Sequence, residues 1–211
     1  MTLASMEPIA GLRERKKQRT RDALVDAAFA LFHRKGFEAT TVDEIAEAVE
    51  LSPRTFFRYF ESKEDVALSL QNQQFAAIYT AFAERPAVEP VLTALRHAIV
   101  ATMRACEDGA NGFDAGRFTC VQQMIKQSPA LYGRSLELCT ERLDELAAHV
   151  AARMGVDPVT DPRPTLVAAV ATTAVQTAIV AWRQAEPDRL ASVLADRALA
   201  LLEQGINYPS G

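Results

Sequence analysis

The sequence predicts an all-α chain of about nine helices, and three observations carry that prediction. Helix-start signals recur: Thr41 with Glu44 three residues on, Ser52-Pro53, Ser62-Lys63-Glu64-Asp65 and Ser128-Pro129 each set a hydroxyl N-cap ahead of a residue that suits the first turn. Between these starts apolar residues return every three or four positions, the helical period, and no stretch shows a convincing strand pattern or internal repeat. Gly and Pro fall between the periodic stretches, at Gly36, Pro86, Pro90, Gly109 to Gly116 and Gly155 to Pro164.

The first helix is expected over residues 17–35, with Leu24, Ala27, Ala28, Leu31 and Phe32 as its buried stripe and Gly36 as its C-cap. Ahead of it lies a basic run of Arg13, Arg15, Lys16, Lys17, Arg19 and Arg21 with Glu14 the one acid among them, suited to a DNA backbone. A second helix opens with the capping box of Thr41 and Glu44, and Asp43 adds negative charge at its positive end. Ile45, Ala46 and Val49 supply its apolar stripe. The third starts at Ser52-Pro53. At about 100° per residue, Phe56 and Phe60 share one face while Arg54 and Arg58 take the opposite one, flanked by Thr55 and Phe57, with Tyr59 near the edge. Two arginines, a hydroxyl and aromatics pointing outward suit a recognition helix, because Arg pairs with guanine edges or phosphates and Thr with bases or backbone.

These residues resemble the helix-turn-helix domain of the TetR family of bacterial transcriptional regulators. The resemblance runs over roughly residues 15–70 and is carried by Gly36-Phe37, Thr40-Thr41-Val42, Ile45-Ala46, Leu51-Ser52, Thr55-Phe56-Phe57, Tyr59-Phe60 and Ser62-Lys63-Glu64. Two residues depart from it. Glu50 stands where the family commonly has a turn glycine, so either a left-handed residue there costs about 1–2 kcal/mol or the turn is shaped differently. Arg54 stands where the family often carries a small residue, which bears on base preference. The candidate DNA contacts are Thr41, Ser52, Arg54, Thr55, Phe57, Arg58, Tyr59 and Lys63, the last placed to meet a phosphate at the start of the next helix.

Beyond Lys63 the chain reads as helices over residues 64–84, 90–107, 117–126, 128–155, 164–185 and 187–204. Residues 165–182 hold no charged side chain, and a helix apolar on most sides is buried on most sides. Ala168, Ala171, Ala174 and Ala178 permit close helix approach there, so a homodimer through residues 164–204 is expected. The resemblance implies dimerisation by the last two helices and a C-terminal domain that encloses a small molecule. Phe82, Met103, Phe118, Gln122, Gln176 and Trp182 are the candidate ligand-binding residues, although aromatics and Met at helical spacing are more often plain core. The expected organisation is a flexible arm over 1–14, a DNA-binding domain over 15–63 and a regulatory and dimerisation domain over 64–211.

Composition sets further limits. At 211 residues and 49% hydrophobic, the chain is long enough for one large or two small cores. Its net charge of −4 divides unevenly: eleven Lys/Arg against ten Asp/Glu through Lys63, then twelve against seventeen. No apolar run approaches the roughly 20 residues of a membrane span, and the N-terminus lacks an apolar signal core, so a cytoplasmic protein is expected with no membrane partner. Cys106, Cys120 and Cys139 have no metal or CxxC spacing and read as reduced thiols. His33, His97 and His149 form no ligand cluster, and with no P-loop, dinucleotide, zinc or nucleophile-elbow motif neither enzyme activity nor any cofactor is expected. The function expected is a sequence-specific regulator, a repressor released from a palindromic double-stranded operator by an unknown small-molecule effector. The alternative is a ligand-independent dimeric DNA-binding regulator or activator whose C-terminal domain only dimerises.

Overall fold

Helices alone, eleven of them and no strand, build the residues described by the computed structural model, 7–184 and 190–206. The chain forms two units that meet between Ser69 and Leu70. The first comprises α1 (Glu7–Lys35), α2 (Val42–Glu47), α3 (Pro53–Phe56) and α4 (Lys63–Ala67). Its first helix starts ten residues earlier than the apolar stripe indicates, so the backbone of residues 7–14, expected as a flexible arm, is helical; residues 1–6 of that arm lie outside the described residues. Leu24, Ala28, Leu31 and Phe32 are buried as the period requires, and so are Phe37, Ile45, Ala46, Phe56 and Phe60, with Phe32 against Phe37 and Phe56 against Phe60. Arg21 lies over the Phe60 ring at 4.7 Å. Because α4 packs on α1, residues 64–69 belong to this first unit and the boundary falls after the expected residue 63.

The second unit holds α5 (Ser69–Ala83, joined at its first residue to the unit before), α6 (Val91–Asp108), α7 (Ala115–Gln127), α8 (Pro129–Glu141), α9 (Leu143–Met154), α10 (Arg163–Gln184) and α11 (Ala191–Gln204). Two helices expected to run through are broken. The stretch 64–84 divides at Leu68, the C-cap of α4. Residues 66–70 are all buried, and five successive residues of one helix cannot share a face, so this junction is covered on more than one side. The stretch 128–155 divides at Arg142, whose carbonyl accepts from Leu146 N at 3.0 Å and from the Tyr79 hydroxyl at 3.4 Å. Its guanidinium donates to nearby Glu145 and to Asn72, so the break is held by Asn72 and Tyr79, partners distant in sequence.

The core of this unit lies between α6, α9, α10 and α11 and is centred on Leu95, Ala98, Val150, Ala168, Ala171 and Leu199. Glu107 of α6 caps α11, accepting from Ser192 N at 2.9 Å and Ser192 Oγ at 2.6 Å, which places negative charge at that helix's positive end. Arg96 joins α6 to α11 through Asp196 and Glu203. Arg153 ties down the loop before α6 by donating to the carbonyls of Arg85, Pro86 and Glu89.

Against the expectation that no apolar run approaches the length of a span, α10 has the length and composition of one: it runs for 22 residues, and its most apolar 18-residue stretch has a mean hydropathy of 1.6. Its packing uses only part of that surface. Ala168, Ala171 and Ala178 are buried where α9 and α11 approach, while Leu166, Thr173, Thr177 and Ala181 are exposed along another face. Leu190, Val193 and Leu201 are exposed on α11 and its N-cap. The start expected for that last helix, Pro187, lies outside the described residues.

Candidate nucleic-acid interface and effector cavity

The recognition segment begins with the cap of α2. Thr41 Oγ1 accepts from Glu44 N at 3.3 Å and Glu44 Oε2 accepts from Thr41 N at 2.9 Å, completing the capping box read from the sequence. Lys35 pairs with the same carboxylate. That hydrogen bond first, and the Thr41 backbone second, hold Glu44 at a pKa of about 2. The turn after α2 is closed by Leu51 N donating to Ala46 O at 2.9 Å, a six-residue return that needs a left-handed residue just before Leu51. Glu50 supplies it, at φ +55°. Of the two turn shapes left open by the sequence, the strained one is present.

Ser52 caps α3, accepting from Thr55 N at 3.2 Å, and its hydroxyl lies 3.0 Å from that of Thr55. Helical bonds continue past Phe56 as tighter turns, Arg58 N to Thr55 O and Tyr59 N to Phe56 O, then Phe60 N to Phe56 O. Phe56 and Phe60 point inward at 0% and 5% exposure, while Phe57 is 56% exposed. Arg54 and Arg58 are exposed, and Thr55 and Tyr59 half-buried. Among the described residues neither arginine is paired with a carboxylate. Arg58 and Tyr59 face the start of α1 across an open cleft of about 450 Å³ whose other walls include Arg13, Lys16, Lys17 and Thr20. The basic run and the recognition segment therefore share one surface.

Lys63 is placed differently from the rest. Its ammonium donates to the carbonyls of Phe37 at 3.0 Å, Thr40 at 3.1 Å and Glu38 at 3.3 Å, and lies 4.6 Å from the centroid of the Phe37 ring. Three donors meet three carbonyls, so the side chain is spent on tying α4 to the loop before α2. Thr41 likewise carries the α2 cap, with its hydroxyl also 2.9 Å from Glu44 Oε2.

In the second unit two adjoining cavities, about 110 and 70 Å³, share the walls Gln71, Gln74, Gln122, Cys139, Gln176 and Ile179. The larger is otherwise mostly apolar, with Phe75, Ile78, Tyr79, Met103, Phe118 and Val175 among its walls. Of the predicted lining residues, Met103, Phe118, Gln122 and Gln176 are brought together here. Phe82 and Trp182 are not. Phe82 is 1% exposed in the core beneath the Arg153 guanidinium, and Trp182 stacks on Phe118 at 6.1 Å from behind the wall. Sequence reasoning missed Gln71 and Gln74, whose three-residue spacing on α5 is the one local sign that they face the same way. Gln71 donates to Cys139 Sγ and Gln74 to Cys106 Sγ, both at 3.2 Å. Burial pushes both thiols up from their ordinary pKa, which lowers their thiolate content. Burial likewise raises the Tyr79 phenol to about 12.

Comparison with known proteins agrees with both units. Residues 24–70 match the family model for bacterial regulatory proteins of the tetR family, and residues 89–207 match that of the MftR C-terminal domain. The HTH-type transcriptional regulator TcmR of Streptomyces glaucescens is 42% identical over 161 residues, 76% of this chain and 71% of TcmR. YuxN of Bacillus subtilis, an uncharacterised HTH-type regulator, is 37% identical over 57 residues, 27% of this chain and 20% of its own length. The fold is shared with Thermus thermophilus FadR, a TetR-family repressor solved with lauroyl-CoA, at a TM-score of 0.55 and 22% identity over 90% of this chain and 97% of that one. It is shared too with SmeT in its triclosan complex, at 0.56 and 15% identity over 92% and 96%. A helix-turn-helix unit with outward arginines, the matches of both family models and the likeness to TcmR make the chain a DNA-binding transcriptional regulator, and it belongs to the TetR family.

Proposed function

We propose that the chain works as a homodimeric repressor that holds a palindromic operator and releases it when a small molecule occupies the cavity of the second unit. The observation that carries this is a largely apolar cavity with four inward glutamines, on the same chain as a recognition segment whose arginines face outward. Support for the dimer comes from the exposed apolar face of α10 and α11. Arg54, Thr55, Phe57, Arg58 and Tyr59 contact the operator, Ser52 and Thr41 lie at helix starts near its phosphates, and Lys63 acts by holding the frame. Two recognition helices one DNA turn apart, about 34–36 Å, read the two half-sites, and the effector favours a dimer state with another spacing. The operator places the protein in the cytoplasm.

Selection of bound sequences from a random duplex pool at fixed salt tests this. A palindrome with half-sites one turn apart is the expected product. Recovery of unrelated sequences, with binding that only falls as salt rises, would leave the basic run as the main DNA contact and end the proposal. One observation favours a rival reading: the larger cavity, at about 110 Å³, is below the roughly 300 Å³ usual for a small-molecule site. In that reading the second unit only dimerises, and no small molecule alters operator affinity.

A further inference from the structure

Among its described residues the second unit holds a desolvated guanidinium that no carboxylate pairs with. Arg183, near the end of α10, lines the smaller cavity and is half-buried. Its Nε and Nη2 both donate to a single atom, Gln122 Oε1, at 2.9 and 2.7 Å. Its Cζ lies 6.0 Å from the centroid of the Tyr132 ring. Among the described residues no carboxylate pairs with it, whereas Arg85, Arg96, Arg142 and Arg163 each have one. The shared wall beside it is neutral: Gln71, Gln74, Gln176 and a thiol whose pKa is raised. Burial pulls the Arg183 pKa below its ordinary value, yet an arginine does not deprotonate in a protein. The charge therefore stays, compensated by an amide dipole where a planar fork favours two carboxylate oxygens. Gln122 Oε1 stands where one of those oxygens belongs.

We propose that the cavity takes an amphipathic organic anion, whose single carboxylate displaces the Gln122 amide oxygen from the fork of Arg183 while its apolar body lies among Phe118, Met103, Val175 and Ile179. This rests on the effector reading for the site and adds the charge and polarity of the ligand. The apolar wall accounts for the body, the unmatched cation for the head. Salt steering plays little part, because the cation is largely shielded from solvent.

The test is binding of octanoate and 2-naphthoate to the full-length protein at neutral pH, each beside its neutral carboxamide. The readout is Trp182, the chain's single tryptophan, which stacks on Phe118. Each acid is expected to bind about 10- to 100-fold more tightly than its amide, the range for a hydrogen bond to a charged group. Arg183→Met should bring the acid down to the level of the amide, and Arg183→Lys should recover part of the difference. Equal binding of acid and amide, no binding of either acid at millimolar concentration, or full acid affinity in Arg183→Met overturns the proposal. If Arg183→Met does not fold, the acid–amide comparison on the unaltered protein decides alone. Operator release is measured separately. Amides that bind and release DNA as well as the acids do would keep the effector reading and remove the anion. Acid-selective binding without any effect on DNA would keep the anion and remove the effector reading.

Discussion

Glu50 sits at φ +55°, a conformation that a side chain enters at a cost of about 1–2 kcal/mol. Replacing it by Gly removes that strain but gives the unfolded chain more freedom to lose. The balance favours Glu50→Gly by about 0.5–1 kcal/mol, seen as a higher urea midpoint at an unchanged slope; a lower midpoint would mean that the side chain contributes an interaction outweighing its strain. Glu44 carries a different kind of dependence. Its folded pKa of about 2 lies below its ordinary 4.5, through Lys35 first and the Thr41 backbone second. The unfolded state therefore binds more protons in that window, and stability rises with pH across it. The contribution is fully present above about pH 4.5 and is lost as pH falls through about 2. Glu44→Gln should flatten the dependence of the urea midpoint on pH between these values, and an unaltered slope would show that other carboxylates set it. Lys63 marks where residue-level reading from sequence stops: a lysine at a helix start looks like a phosphate ligand, while its three carbonyl partners lie more than twenty residues back in the chain.

The recognition segment and the start of α1 should contribute to DNA binding in separable ways, because one presents side chains that can read bases and the other a row of charge. Arg58→Ala should weaken binding to the selected operator by about 1–3 kcal/mol, the worth of one bidentate base contact, and leave binding to random duplex nearly unchanged. Lys16→Ala with Lys17→Ala should weaken both, and should reduce the salt slope by about 0.9 per phosphate released. Titrations against the two duplexes at several salt concentrations separate the effects. An Arg58→Ala loss that is equal on both duplexes would reassign Arg58 to the backbone. At this scale the legible elements were those whose signals are local: the Thr41–Glu44 box, Ser52-Pro53, and Phe56 with Phe60 four residues apart. The helix breaks at Leu68 and Arg142 were not legible, because nothing in their own sequence breaks a helix. Arg142 is instead held by Asn72 and by the Tyr79 hydroxyl from another helix. The cavity was half-legible for the same reason. Gln122 and Gln176 look polar in apolar helices, whereas Gln71 and Gln74 acquire meaning only when α5, α7 and α10 converge.

At the scale of the whole molecule, α10 poses an energetic question to which the proposed dimer is an answer. Only 17% of the residues in its most apolar stretch are fully buried within the chain, and others such as Val175 and Ile179 are half-buried. Leu166 is 62% exposed there, and Val193 49% on α11, both on surface that a monomer leaves to water. Apolar area of this kind is worth about 25 cal/mol per Å² when it is covered, and the sheer length of the face, about 33 Å for 22 residues at 1.5 Å each, suits an isologous pairing of two copies. Thr173 lies midway along α10 and is exposed, so Thr173→Arg places a charge in the middle of that pairing without entering the monomer's own core. The expected result is a folded, helical protein that sediments as a monomer. Its operator affinity should fall by several orders of magnitude, since two half-sites read by one tethered pair gain from an effective concentration that two separate chains lack. Binding to an isolated half-site should be unchanged. A Thr173→Arg protein that stays dimeric and keeps full operator affinity would put the dimer contact elsewhere, and the exposed apolar surface of α10 and α11 would then need another partner.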